Sequence, residues 1–298
     1  MLGLQLIGWG LVKKVVIADN LAPFVDRIFG IAAFASPIDL LFSIYFFAFQ
    51  IYCDFSGYTD IAIGVSLLFG LQLMDNFRRP YLARSTAEFW GERWHISLGR
   101  WFRDYLYIPL GGSRAGPVRQ YLNLMLVFVA SGLWHAGLGY GVGWTFLVWG
   151  ALNGAYQWAG VATRPFWSRV GEQVPRISRS VPLLVLRVLL TFHLIAITWV
   201  FFRARSLGDA WLILKKIASH LVDIPSLLAQ YPFTAEHYTG IALIVLLVGI
   251  EIVDKRRSIF QRLAAAPLAV RWALWYLAIL GLLILGRWQA REFIYMQF

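Results

Sequence analysis

Cysteine is nearly missing from this sequence: Cys53 is the single one in 298 residues. An intrachain disulfide and a Cys-based zinc cluster are therefore excluded, and the redox compartment cannot be read from cysteine usage. Charged residues make up only 14% of the chain. The nucleophile elbow G-x-S-x-G, the zinc helix H-E-x-x-H and a phosphate loop ending in Gly-Lys-Ser/Thr are all absent, and the glycines from Gly137 to Gly143 lack the dinucleotide-binding spacing. No basic stretch precedes the apolar residues 1 to 12, which argues against a cleavable signal peptide. The net charge of +11 comes without any long Lys/Arg run. Its basic residues are scattered over the connections between apolar blocks, as membrane topology and anionic headgroups require, and they do not suggest a nucleic-acid partner.

What is abundant is hydrocarbon. The chain is 59% hydrophobic, and its apolar residues fall into several blocks near the ~20 residues needed to cross a bilayer. The composition predicts an all-α, polytopic membrane protein folded as one domain over residues 1–298. Residues 2 to 29 read as a short or interfacial helix, with Lys13, Lys14, Asp19 and Asp26 too polar for a clean span. Residues 38 to 74 read as two membrane segments or one long bent one, interrupted by the polar stretch Asp54 to Asp60. Asp54 and Asp60 lie roughly 120° apart on a continuous helix. They do not share a stripe there, and helix capping or pairing with loop arginines is their simplest role, against a part in the site.

Ser85-Thr86-Ala87-Glu88 has the capping-box pattern and predicts a helix from Thr86. Trp90, Trp94, Leu98, Trp101 and Tyr105 recur at helical spacing, with Arg93, Arg100 and Arg103 off the stripe, which predicts an amphipathic helix at the headgroup boundary up to Pro109. His95 lies on it, either as a working group or as a member of an aromatic belt. A span from Tyr121 to Trp134 then meets five glycines in the twelve residues from Gly132 to Gly143, around His135. Irregular backbone at membrane depth survives where it lines a cavity, so His135 is the first candidate for chemistry. Further spans are expected from Trp144 to Val161, over 182–202, 238–253 and 268–286. His193 lies in one of them without a motif, and His220 and His237 read as surface groups. Lys and Arg number eight between Asp75 and Arg119, four in 163–180 and four in 254–263, which assigns these loops to the cytoplasmic side and the sparser 203–237 connection to the other.

The segments KKVVIADNLAPFVDRIF, IYCDFSGYTDIAIG, NFRRPYLARSTAEFWGERWHISLGRWFRDYLYIPLGG, SGLWHAG, WVFFRARSLGDAW and the terminal EFIYMQF resemble the membrane-bound O-acyltransferases, in particular the bacterial branch that O-acetylates alginate. The resemblance implies a helical bundle with interfacial and re-entrant helices around a central cavity, in the bacterial inner membrane. Family members carry further helices before KKVVIADN, so the chain corresponds to the C-terminal portion of the usual length, truncated or started late. The resemblance matches His135 to the essential histidine and His95 to the second one. It also implies transfer of an acyl group, acetyl first, from a cytoplasmic thioester such as acetyl-CoA or an acyl carrier toward hydroxyls of an extracytoplasmic polysaccharide, through a periplasmic esterase-like partner. No tightly bound cofactor and no metal are expected, and the surroundings are membrane lipid. D-alanyl transfer to teichoic acid, or a non-catalytic channel or scaffold for polymer export, are the competing readings.

An acceptor hydroxyl needs a base during attack, which suits His135, and the tetrahedral oxyanion needs donors, for which His95, Arg93 or amides at the glycine break are the candidates. Glu92, three residues before His95, is a candidate to fix its tautomer. Trp134, beside His135, with Asp54 and Asp60, completes the set of possible supporting residues.

Overall fold

The computed structural model describes residues 2–114, 116–137, 143–178, 180–254, 265–288 and 293–294. Gly139 and Gly141 of the glycine run, the basic residues Lys255 to Arg262 and most of the terminal EFIYMQF lie outside the described residues. Among the described residues every regular element is helical, and the chain gathers into two compact units, Met1–Met74 with Lys215–Gln297 and Asp75–Leu214. Among the described residues four helices are long and apolar enough to cross a membrane: Pro37–Leu68, Val181–Arg203, Ala235–Val253 and Leu268–Leu285.

The first unit begins with α1 (Leu2–Leu11), a π-helical stretch Val12–Ala18 and α2 (Asp19–Gly30), then α3 (Pro37–Leu68). Ser36 caps α3 by accepting from the Asp39 amide, with Pro37 at the first helical position. The polar stretch at Asp54 to Asp60 neither ends nor divides this helix. It stays continuous because the polar groups find partners on the preceding segment: Lys14 Nζ lies 2.6 Å from Asp54 and 3.1 Å from Asp19, and Lys13 Nζ lies 2.6 Å from Asp60 and 3.0 Å from Ser56. The carboxylates thus pair with lysines of the widened π turn, and the expected capping role and loop arginines are replaced. Glycines bring α1 against α3 closely enough for these contacts. A Cβ on Gly10 would come within 2.5 Å of the Gly57 carbonyl oxygen, and one on Gly64 within 2.5 Å of that of Gly3. The C-terminal helices of this unit are α11 (Ile224–Ala229), α12 (Ala235–Val253) and α13 (Leu268–Leu285).

In the second unit the predicted 86–109 helix is broken. Ser85 does accept from the Glu88 amide and a helix does start at Thr86, but α4 (Thr86–Glu88) passes into a π turn, Phe89–Arg93, and the chain leaves helical geometry at Trp94 and His95 before α5 (Ile96–Phe102). The stripe is split accordingly: Trp94 is buried, whereas Trp101 and Tyr105 are exposed. Next come α6 (Pro117–Ala136) and α7 (Trp144–Gln173), packed antiparallel, then α8 (Pro175–Ser178), α9 (Val181–Arg203) and α10 (Leu207–Ser219), which runs on into the first unit. Gly132 on α6 and Gly150 on α7 allow backbone contact, since a Cβ on Gly150 would lie 2.3 Å from the Phe128 carbonyl oxygen. Small residues at such a crossing are how helices without a hydrophobic driving force pack tightly in lipid.

Candidate functional site: two histidines at an aromatic cluster

The α6–α7 crossing presses the last turn of α6 onto the side chains that follow Gly143, and this buries His135. Its ring centroid lies 5.3 Å from that of Trp149 in an edge-to-face arrangement, 5.5 Å from Phe202 of α9 and 6.5 Å from Phe146. The cluster continues through Trp199, 6.1 Å from Trp149, to Trp94, 5.0 Å from Trp199. Trp90 joins it, 5.5 Å from Trp149, with its indole N–H donated to Asn153 at 2.9 Å. Asn153 in turn donates to the Trp149 carbonyl at 2.8 Å, so one amide ties the wall of the cluster to the backbone of α7.

His95 follows Trp94 into the same region, and the two imidazoles are close enough to interact electrostatically. His95 owes its place to backbone geometry: φ is 45° and ψ 54°, the left-handed region that a non-glycine residue enters at a cost. Two backbone hydrogen bonds hold it there, from Arg78 N to the Arg93 carbonyl at 2.9 Å and from Ile96 N to the Asn76 carbonyl at 3.0 Å. Arg93 braces the same turn, with two bonds to Glu88 and one each to the Arg78 and Arg79 carbonyls. Its guanidinium, one of three candidate oxyanion donors in the sequence, is here engaged in holding the loop.

The tautomer of His95 follows from its neighbours. Asn76 Oδ1 accepts from the Ser97 amide at 3.0 Å and from the Ser97 hydroxyl at 2.9 Å, which identifies it as the oxygen. His95 Nδ1, 3.2 Å from that oxygen, must carry the proton in order to bond it. Nε2 is therefore an acceptor. Burial lowers the pKa of His95 to about 4, so the ring is neutral near pH 7. A neutral Nε2 lone pair can take or orient a proton but cannot donate to an oxyanion. Glu92, expected to fix this tautomer, is exposed: the break at Trp94 removes it from a shared face with His95, and Asn76 takes over its role.

Trp134 is also exposed, its ring 6.1 Å from Trp101, and takes no part in the His135 cluster. Asp54 and Asp60 belong to the first unit and are held by Lys14 and Lys13. Two indoles not singled out in the sequence are further candidate donors. The Nε1 atoms of Trp149 and Trp199 are buried without a hydrogen-bond partner among the described residues. Nothing in the spacing of these tryptophans marks them as donors. His193 is exposed on α9 and spends Nδ1 on the Leu189 carbonyl at 2.7 Å. Among the described residues no group of three or more His, Cys, Asp or Glu could hold a metal ion.

A buried histidine among antiparallel helices, in a chain whose described residues include four helices long and apolar enough to cross a membrane, defines the class as a polytopic membrane protein. The chain belongs to the MBOAT, membrane-bound O-acyltransferase family, whose pattern matches residues 2–200. It is 44% identical to the Peptidoglycan O-acetyltransferase of Helicobacter pylori over 218 residues, 72% of this chain and 38% of that protein. It is 42% identical to the Probable alginate O-acetylase AlgI of Azotobacter vinelandii over 68% of this chain and 37% of that protein. With the Teichoic acid D-alanyltransferase of Streptococcus thermophilus identity is 26% over 56% of this chain and 41% of that protein. The matched region thus spans well under half the length of these curated relatives.

Proposed function

We propose that this chain carries the acyl-transfer centre of an O-acyltransferase that moves an acetyl group from a cytoplasmic acyl thioester toward hydroxyls of an extracytoplasmic polysaccharide, through a periplasmic esterase-like partner. The observation that carries the reading is His135, buried in an aromatic cluster at the end of α6 with the second histidine, His95, in electrostatic reach. In this mechanism His135 removes the acceptor hydroxyl proton as that oxygen attacks the thioester carbonyl carbon. The carbonyl π electrons move onto oxygen to give the tetrahedral oxyanion, which collapses, breaks the C–S bond and expels thiolate. The imidazolium returns the proton to sulfur. His95 Nε2, held as an acceptor, orients the incoming hydroxyl, and the Trp149 and Trp199 indole N–H groups are the donors at hand for the oxyanion. Acetyl is favoured over D-alanyl because identity with the two O-acetyl relatives is 44% and 42%, against 26% with the D-alanyltransferase.

The test compares acyl transfer by well-expressed, membrane-inserted variants. His135→Ala should lose roughly 10² to 10⁴ in rate, as removal of a general base does. Trp149→Phe, which keeps an aromatic ring but drops the N–H, should lose about 10² to 10³ in kcat with little change in KM. His193→Ala should retain most activity. Near-wild-type transfer by His135→Ala would remove the catalytic reading and leave the scaffold in its place.

A further inference from the structure

A second constellation lies in the first unit, where the KKVVIADNLAPFVDRIF segment meets the starts of α3 and α12. Tyr231, in the connection before α12, donates its hydroxyl to Asp39 of α3 and lies 3.0 Å from Nε2 of His237. The His237 ring is oriented by its own helix start. The Thr234 amide donates to Nδ1 at 3.2 Å, so Nδ1 is an acceptor and Nε2 carries the proton toward Tyr231. His237, expected at the surface, is therefore buried, because it closes the α12 cap and the polar chain together.

This chain forms one wall of a cavity of about 590 Å³, within the range of about 300–1,000 Å³ in which small-ligand sites fall. Phe24, Ile28, Leu227 and Pro232 give it apolar faces. Asp39, Gln230 and Tyr231 line it as well, together with Ser36 and Thr234. The Asp39 side chain keeps 24% of its surface accessible. One carboxylate oxygen accepts from Ser36 and the other from Tyr231, so each retains a second lone pair for a ligand donor. Arg27, which also lines the cavity, is paired with Glu236, so its charge is balanced there and Asp39 leaves the cavity weakly negative. That environment disfavours an anion and suits a neutral ligand rich in hydroxyl donors with an apolar face for the aromatic wall.

The location agrees with such a ligand. α3 and α12 are both candidate spans, and their C-terminal ends lead into the basic 75–119 and 254–263 connections. The cavity sits at their opposite ends, the extracytoplasmic side by the distribution of Lys and Arg. We propose that the Asp39–Tyr231–Gln230 cavity is a saccharide subsite that holds one or two uncharged pyranose units of the acceptor, with sugar hydroxyls donating to Asp39 and a ring face against Tyr231. This rests on the acceptor class proposed above, but its binding does not depend on transfer.

Saturation-transfer-difference NMR on the full purified chain in detergent micelles, with the neutral trisaccharide chitotriose as probe, tests it. Ring protons should be saturated in the wild type and equally in His135→Ala, which removes transfer but leaves this cavity intact. Asp39→Asn should weaken binding about tenfold and Gln230→Ala about fivefold, the cost of one charge-assisted and one neutral hydrogen bond. Gln230 is exposed, so its variant keeps the fold even if Asp39→Asn does not. Absence of saturation in the wild type, signals unchanged in both cavity variants, or loss in His135→Ala would each overturn the subsite. Retained acyl transfer by His135→Ala would overturn only the catalytic reading.

Discussion

At the scale of single residues, the neutrality of His95 has a measurable consequence. Burial lowers its pKa to about 4 from an ordinary value near 6.5. The folded state therefore holds the ring neutral, and the stability this contributes is present above about pH 6.5 and lost as pH falls through about 4. Replacement needs care, because only residues that tolerate a left-handed backbone leave the turn unstrained. Asparagine does, and alanine does so less well. Thermal unfolding of His95→Asn should accordingly lose less stability than the wild type between pH 6.5 and 4, and an identical pH profile for the two would refute the assignment. The same residue shows how far the sequence could be read. Its identity as a candidate followed from motif and context. Its tautomer did not, because Asn76 and Ser97 reach it through a chain reversal that helical spacing cannot express.

At the scale of elements, the four helices apolar enough to span were legible from hydropathy, whereas the spans expected over 121–134 and 144–161 fall in α6 and α7, which are not among those four. The 86–109 segment was not legible, because the aromatic spacing is compatible with one helix, whereas the Asn76–Arg78 strand-like contact and the Arg93 brace break it at Trp94. The continuity of α3 was likewise hidden, since its carboxylates look like an interruption until their lysine partners are in place. Lys14→Met should remove the cation that Asp54 and Asp19 share and cost about 3–5 kcal/mol of stability. Lys14→Met combined with Asp54→Leu should lose markedly less than the sum of the two single changes. A double-mutant cycle on thermal or denaturant unfolding reads the coupling directly, and additive losses would show the pair to be energetically idle.

At the scale of the whole molecule, the basic loops 75–119, 163–180 and 254–263 are proposed to share the cytoplasmic side. Single cysteines placed in each, in a Cys53→Ser background, should react with a membrane-impermeant maleimide only after the membrane is opened. Labelling of any of the three from the periplasmic face alone would reverse the orientation. The Lys13–Asp60 and Lys14–Asp54 pairs also bear on biogenesis. A segment with two lysines and Asp19 costs about 2.5–3.5 kcal/mol per charge to place at a helix centre, so residues 2–30 are poor candidates to enter lipid by themselves. Once α3 has emerged from the ribosome, its carboxylates neutralise both lysines and the glycine contacts clamp the two segments together, which makes them a unit of integration. In an insertion assay with staged fusions, a chain ending at residue 34 should remain extractable by alkaline carbonate and one ending at residue 74 should be retained. The ion pairs would then act as a checkpoint on assembly, making the integration of residues 2–30 wait for α3.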